Sequence, residues 1–396
     1  MKPRVLLVVN AAVAATGPRP AGPRKDYDAL AERLGADILD RGAVTRRPLT
    51  RLAARALGSP VVQAWLAFRR CHRYDVVVTD GEGSGIPLAL LLKLAGARCP
   101  HVTIGHRLST AKKRPFFRWL RVHSHFTRVV LHSVRQRDTA IRELGIPPEQ
   151  LALVPYQVDA DFWRPQPVAE ERLVCSAGLE HRDYPTLFRA VEELDVRVVI
   201  GAASQWSHQR NTAATATRPA NVEVGSFDYV ALRDLYARAA IVVVPLADVD
   251  FQAGVTTILE AMAMGKPVVV THTDGQTDVV EDRRTITRGT PSRPRPVSLL
   301  QMLAATSGVE LAPNGFYVPP DDPAAIRRAI VYLLDHPAER ARLGAAGRRA
   351  VEELLTLDHF VEHFRRLIHA AHNAGATVNR ASRRGEPLDA GYSQSA

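Results

Sequence analysis

The residues best placed to do chemistry lie in the stretch Ala253 to Thr271, AGVTTILEAMAMGKPVVVT. Gly254 opens a helix, Glu260 lies on it and Gly265 stops it, and Pro267 leads into the apolar run Val268 to Val270. This order predicts one αβ unit of a parallel sheet. The backbone N–H groups of Gly254, Val255 and Thr256 would stand at the open end of the helix, where unpaired donors and the helix dipole favour an anion. Glu260 follows about one and a half turns later and projects near the same end. A phosphate and a carboxylate that binds hydroxyls would then face one cleft, as a sugar nucleotide requires.

The same stretch resembles glycosyltransferase family 4, retaining enzymes of the GT-B fold, whose signature pairs two glutamates eight positions apart and ends in LEAMA-x-G-x-PV. Glu260 stands at the second glutamate and Gln252 at the first. The resemblance gives Glu260 the donor ribose and places Gln252 near the sugar ring, with an amide where the family has a charge. His106-Arg107-Leu108-Ser109, followed by Lys112, is similar to the family's H-x-L-x-x-x-K, where the histidine reaches the transferred sugar. A neutral imidazole there can donate or accept a hydrogen bond at a sugar hydroxyl. Residues 151–165, LALVPYQVDADFWRP, resemble the family's crossover between domains, with Asp159, Phe162 and Pro165 matching.

In residues 178–187 the family carries G-R-x-x-x-K-G, whose two cations hold the donor pyrophosphate. Here Leu179 replaces the arginine, and the lysine position falls on Asp183 by strict count. A slip of one residue puts Arg182 there, keeping the charge and adding bidentate geometry. The loops after Gly201 and Val224 are expected to wall the base. The Asp-x-Asp pairs at 159–161 and 248–250 fall in the crossover and in the loop before Gln252, so neither is read as a metal site. The resemblance implies no metal and no cofactor beyond the nucleotide-diphosphate sugar itself.

The elements that must position these residues alternate between strand and helix. Strands are expected at Val5 to Val9, Ala36 to Leu39, Tyr74 to Thr79, His101 to Gly105 and Val129 to Leu131. A second set is Leu173 to Ala177, Val196 to Gly201, Val222 to Val224, Ile241 to Pro245, Val268 to Thr271 and Phe316 to Val318. The glycine-rich turn at residues 80–85 is read as an acceptor-side loop or a plain connection before a helix at Ile86 to Ala95, with Glu82 opposing any phosphate. This alternation supports two doubly wound sheets. The resemblance makes them the two Rossmann-like domains of a GT-B fold facing a central cleft: residues 1–158 on the acceptor side and 159–356 on the nucleotide-sugar side. A last helix at 357–372 is expected to cross back, leaving 373–396 as a disordered tail. Residues 283–313 read as an inserted surface loop with a helical piece at Leu299 to Ala305.

Composition sets outer limits. The chain has 396 residues, more than one core usually holds, and a hydrophobic fraction of 46% with 23% charged. No apolar run approaches the ~20 residues of a membrane helix, and MKPRVLLVVN is too short in its apolar part for a signal peptide. Cys71, Cys99 and Cys175 show no metal spacing and are read as reduced thiols in a cytoplasm. The net charge of +11 implies anionic partners. Residues 112–126, KKRPFFRWLRVHSHF with no acid among them, read as a basic and aromatic helix able to rest on an anionic membrane at the inner face. No nucleic-acid partner is expected. The expected activity is a retaining transfer of sugar to a hydroxyl on a glycan, lipid or small natural product. The alternatives are a sugar-nucleotide 2-epimerase and a non-catalytic nucleotide-sugar-binding protein.

Overall fold

Short runs of β-branched residues, most of them buried, pair in parallel because helices between successive strands return the chain to the same end of the sheet. In the computed structural model, which describes residues 2–13, 21–202, 213, 217–282 and 297–384, they form two six-stranded sheets. The N-terminal lobe contains β1 (Val5–Val8), β2 (Asp37–Leu39), β3 (Val76–Thr79), β4 (His101–Gly105), β5 (Arg128–Leu131) and β6 (Leu151–Leu153), in the order β2-β1-β3-β4-β5-β6. The C-terminal lobe contains β7 (Leu173–Ala177), β8 (Arg197–Gly201), β9 (Val222–Gly225), β10 (Ile241–Val244), β11 (Val268–Thr271) and β12 (Gly315–Val318), in the order β12-β11-β10-β7-β8-β9. The chain reverses direction across the sheet between β1 and β3 in one lobe and between β7 and β10 in the other. Loops leaving strands at such points diverge and open a crevice for ligand.

The lobes are joined by two crossovers that run side by side. Val158 N–H donates to the Leu355 carbonyl at 3.0 Å, and Leu357 N–H donates to the Val158 carbonyl at 2.9 Å. The helix Leu357–Arg384 then packs on the N-terminal sheet, where Phe360, Phe364 and Ile368 share one core with Val5, Leu7, Val76 and Ile104. Among the described residues no helix is long and apolar enough to cross a membrane.

Four expectations change. Residues 80–85 are not all loop: a helix runs from Glu82 to Leu94, and a Cβ on Gly85 would stand 2.3 Å from Thr103 Oγ1, so glycine lets this helix lie close on the sheet. Residues 112–126 do not form one helix. They break into short turns around Arg114–Arg118 and Val122–His125, with Arg121 in the left-handed region at φ 45°, and Phe117 and Phe126 are buried. The helical piece of the 283–313 segment, Leu299–Ser307, is docked rather than loose: Ser298 and Gln301 form a capping box, and Leu299, Leu300 and Ala304 are buried. Residues 283–296 lie outside the described residues. The last helix continues past 372 to Arg384, so the expected disordered tail is helical over that span, and 385–396 lie outside the described residues.

Candidate active site

The helix Val255–Ala263 starts at Gly254, whose φ of 77° is open to glycine at little cost. A Cβ there would stand 2.8 Å from Val244 Cγ1 and 3.1 Å from Arg182 Nη1, so the glycine also brings backbone and guanidinium together. Arg182 follows β7. It is held by the Ala177 carbonyl at 2.9 Å, the Glu180 carbonyl at 2.8 Å and Thr257 Oγ1 at 3.0 Å. Gly178, with φ of 94°, makes room for it, since a Cβ would meet Nη2 at 2.6 Å. The neighbouring Asp183 is occupied otherwise: its carboxylate caps the helix Tyr184–Val191 by accepting from Thr186 N–H. The cation at the helix mouth is therefore Arg182, one residue before the position that strict counting gives.

Arg182, Gly254, Thr256, Thr257 and Glu260 line one cavity of about 1010 Å³ between the lobes. Burial pushes the Glu260 carboxyl up to about 8, against a hydrogen bond from Tyr236 Oη at 3.2 Å and the charges of Lys25 and Arg182. Gly201 and the segment from Ser226 to Val230 form another wall, where base-binding loops are expected.

The N-terminal lobe closes the cavity with a residue that sequence reasoning missed. Lys25 Nζ donates to Tyr229 Oη at 2.9 Å and lies 4.3 Å from that ring's centroid, facing the same space as Glu260. Arg24 anchors the loop, donating from its backbone N–H, Nε and Nη2 to the Asp159 carboxylate at 2.8, 3.2 and 3.0 Å. Asp159 was legible as a crossover residue; its partner was not, because 135 positions separate the two.

His106, Gln252 and Lys112 stand outside this cavity. His106, at the end of β4, has Nε2 3.4 Å from Asp80 and Nδ1 3.1 Å from Tyr156 Oη. Burial opposes its charge, but Tyr156, Asp80 and Glu82 outweigh it and hold the imidazole well above its usual value. These neighbours favour the charged ring over the neutral one. Glu82 fixes the loop by accepting from the His106 and Arg107 N–H groups at 3.1 and 3.2 Å and pairing with Lys113. That engagement fills the helix start at residues 80–85 with the protein's own carboxylate and leaves no phosphate cradle. The lysine that takes part is Lys113; Lys112 is exposed.

Gln252 is buried at the lobe junction. Its Nε2 donates to Asp278 at 3.3 Å, and Asp278 also accepts from Val134 N–H of the other lobe at 3.1 Å and Leu299 N–H at 2.8 Å. Burial pushes the Asp278 carboxyl up to about 6 against those backbone donors. Arg107 draws the His106 loop onto this junction, 3.7 Å from Asp250 and 4.5 Å from the Phe251 ring centroid. The Val255 side chain is buried in the core, so this residue can offer a ligand only its backbone.

Residues 12–162 match the family described as Glycosyltransferase Family 4, and residues 171–336 match Glycosyl transferases group 1. No curated protein sequence matches the chain. Sucrose-phosphate synthase from Thermosynechococcus elongatus is similar in structure, with a TM-score of 0.66 at 18% identity over 94% of this chain and 100% of that one. A glycosyltransferase from Rickettsia africae gives 0.62 at 14% identity over 93% and 98%. HepE from Anabaena in complex with UDP-glucose gives 0.62 at 15% identity over 92% and 99%. At these identities the likeness is one of fold, two α/β lobes across a cleft.

Proposed function

With a Family 4 domain in one lobe and a group 1 domain in the other, the chain is a glycosyltransferase of the GT-B fold, and we propose that it moves a sugar, with retention, from a nucleoside diphosphate to an acceptor hydroxyl. The observation that carries this reading is the interlobe cavity shared by Arg182, the Gly254 helix mouth and Glu260. Arg182, Lys25 and the amides from Gly254 to Thr256 are aimed where negative charge grows on the departing diphosphate, the place where preorganised donors act most strongly. The Glu260 carboxylate accepts from the ribose hydroxyls. His106, fixed by Asp80 and Tyr156, donates to the sugar, and the Gln252 amide shapes the junction beside it. The acceptor, on a glycan, lipid or small natural product, approaches from the face the diphosphate leaves. No metal takes part in this scheme, so turnover in EDTA is expected to match turnover without it.

Because HepE is crystallised with UDP-glucose, UDP-glucose is the first donor to test, within a thermal-shift panel of nucleoside diphosphates and their sugars. A specific donor stabilises the fold by mass action. Release of nucleoside diphosphate only with an acceptor supports transfer. Isomerised sugar nucleotide without an acceptor supports the 2-epimerase, and binding without turnover supports the non-catalytic reading that Gln252 keeps open.

A further inference from the structure

The helix Pro48–Leu57 of the N-terminal lobe has its apolar side outward. None of its residues is buried, and Leu49, Leu52 and Leu57 are 82%, 65% and 63% exposed. At 100° per residue these three leucines, with Ala53 and Ala56, fall within an arc of about 140°, while Arg55 lies about 60° beyond Leu52 and Arg51 on the opposite face. The next helix, Ser59–Phe68, extends the patch through Trp65, 45% exposed, with the Arg69 guanidinium 5.7 Å from its ring centroid. From Arg41 to Tyr74 the chain carries eight arginines and no acid.

We propose that this face seats the protein on an anionic phospholipid surface, with Leu49, Leu52 and Leu57 among the acyl chains and Arg51 and Arg55 at the phosphates. Amphipathic helices with a basic polar face and an apolar face bind membranes in this way. Charge complementarity selects the occupant: an acid-free, arginine-rich rim fits a polyanionic sheet, and each cation near such a surface adds to the attraction. A fluid bilayer moulds to such a surface. The helix is ten residues long, so it lies on the membrane and does not cross it. This surface, 48–65, is distinct from 112–126, where Phe117 and Phe126 are buried and Trp119 is exposed. Pro60, just past the helix, stands 3.6 Å from where a Gly83 Cβ would be, and Asn10 flanks the same point. The surface therefore borders the rim that leads to His106. A membrane-borne acceptor would enter there, a step that rests on the transferase reading; vesicle binding does not.

The test is flotation of the full chain with phosphatidylcholine vesicles, with and without phosphatidylglycerol. The wild type floats with the anionic vesicles and is released by salt. Replacing Leu49, Leu52 and Leu57 together by Ser lowers partitioning by at least about tenfold. The Arg51→Glu and Arg55→Glu pair lowers it by about tenfold. Because these side chains are exposed, both variants keep the wild-type melting temperature and donor-induced thermal shift, and Trp65 fluorescence is quenched by brominated lipid. Absence of flotation, or equal flotation of the triple-serine protein, overturns the proposal. So does a wild-type dimer in sedimentation that the triple-serine protein cannot form, since a second copy would then cover the face.

Discussion

At Glu260, the burial that would shield a ribose from water also keeps a proton on the carboxyl up to about pH 8. A carboxylate accepting two hydroxyls must be ionised, so below that pH donor binding first has to remove the proton. The donor KM is therefore expected to fall as pH rises from 6.5 to 8, by up to about tenfold per unit, and to level off above. In Glu260→Gln the KM is raised by about tenfold to a hundredfold and no longer follows pH. The linked stability has the opposite sign. The folded state holds a proton that the unfolded chain loses above about 4.5, so this group's contribution is present at low pH and is lost as pH climbs to about 8. Glu260→Gln should thus melt higher than the wild type in alkaline buffer, and an unchanged melting temperature at pH 9 would remove the buried-proton argument. Lys25 differs. Its side chain is half-buried and bonds Tyr229. Lys25→Met is expected to lower kcat/KM by about tenfold to a hundredfold with little change in melting temperature, whereas Arg182→Met loses both, because Arg182 also holds the carbonyls of Ala177 and Glu180. Arg182 and Glu260 were legible because their motifs are local. Lys25 was not, since its role exists only where a loop meets a tyrosine 204 positions away.

The element that does most for the site is the helix entered at Gly254. Gly254→Ala puts a Cβ into a left-handed backbone and 2.8 Å from Val244. It is expected to cost about 1–3 kcal/mol in urea unfolding and to weaken donor binding measured by titration, because the amides proposed to receive the diphosphate move with the turn. That helix and the strand after it could be read with correct bounds, their signals being a glycine start, a glycine stop and a β-branched run in sequence. Two other helices could not. The start at Glu82 is hidden by Gly83 and Gly85, poor helix formers, of which Gly85 permits close packing on Thr103 and Gly83 faces Pro60. The basic and aromatic 112–126 segment has helical spacing, but the left-handed Arg121 ends the run and its phenylalanines fill the core, so the same spacing serves two short turns.

At the scale of the whole molecule, alternating strands and helices disclosed two wound sheets, while the contacts that fix one lobe against the other stayed hidden. Arg24 to Asp159 and Val134 to Asp278 join residues more than a hundred positions apart, and no periodicity announces such pairs. The returning helix is the largest of these ties. Phe364→Ala leaves a hole under β1 and β3 and is expected to cost about 3–5 kcal/mol, lowering the urea midpoint without altering donor specificity. The order of synthesis gives this helix a further consequence. Val5 leaves the ribosome early, but the side chains that complete its core follow some 360 residues later, roughly twenty to seventy seconds at ordinary translation rates. During that interval the first lobe carries an uncovered apolar floor, and a nascent chain released early would be a substrate for chaperones and proteases rather than half an enzyme.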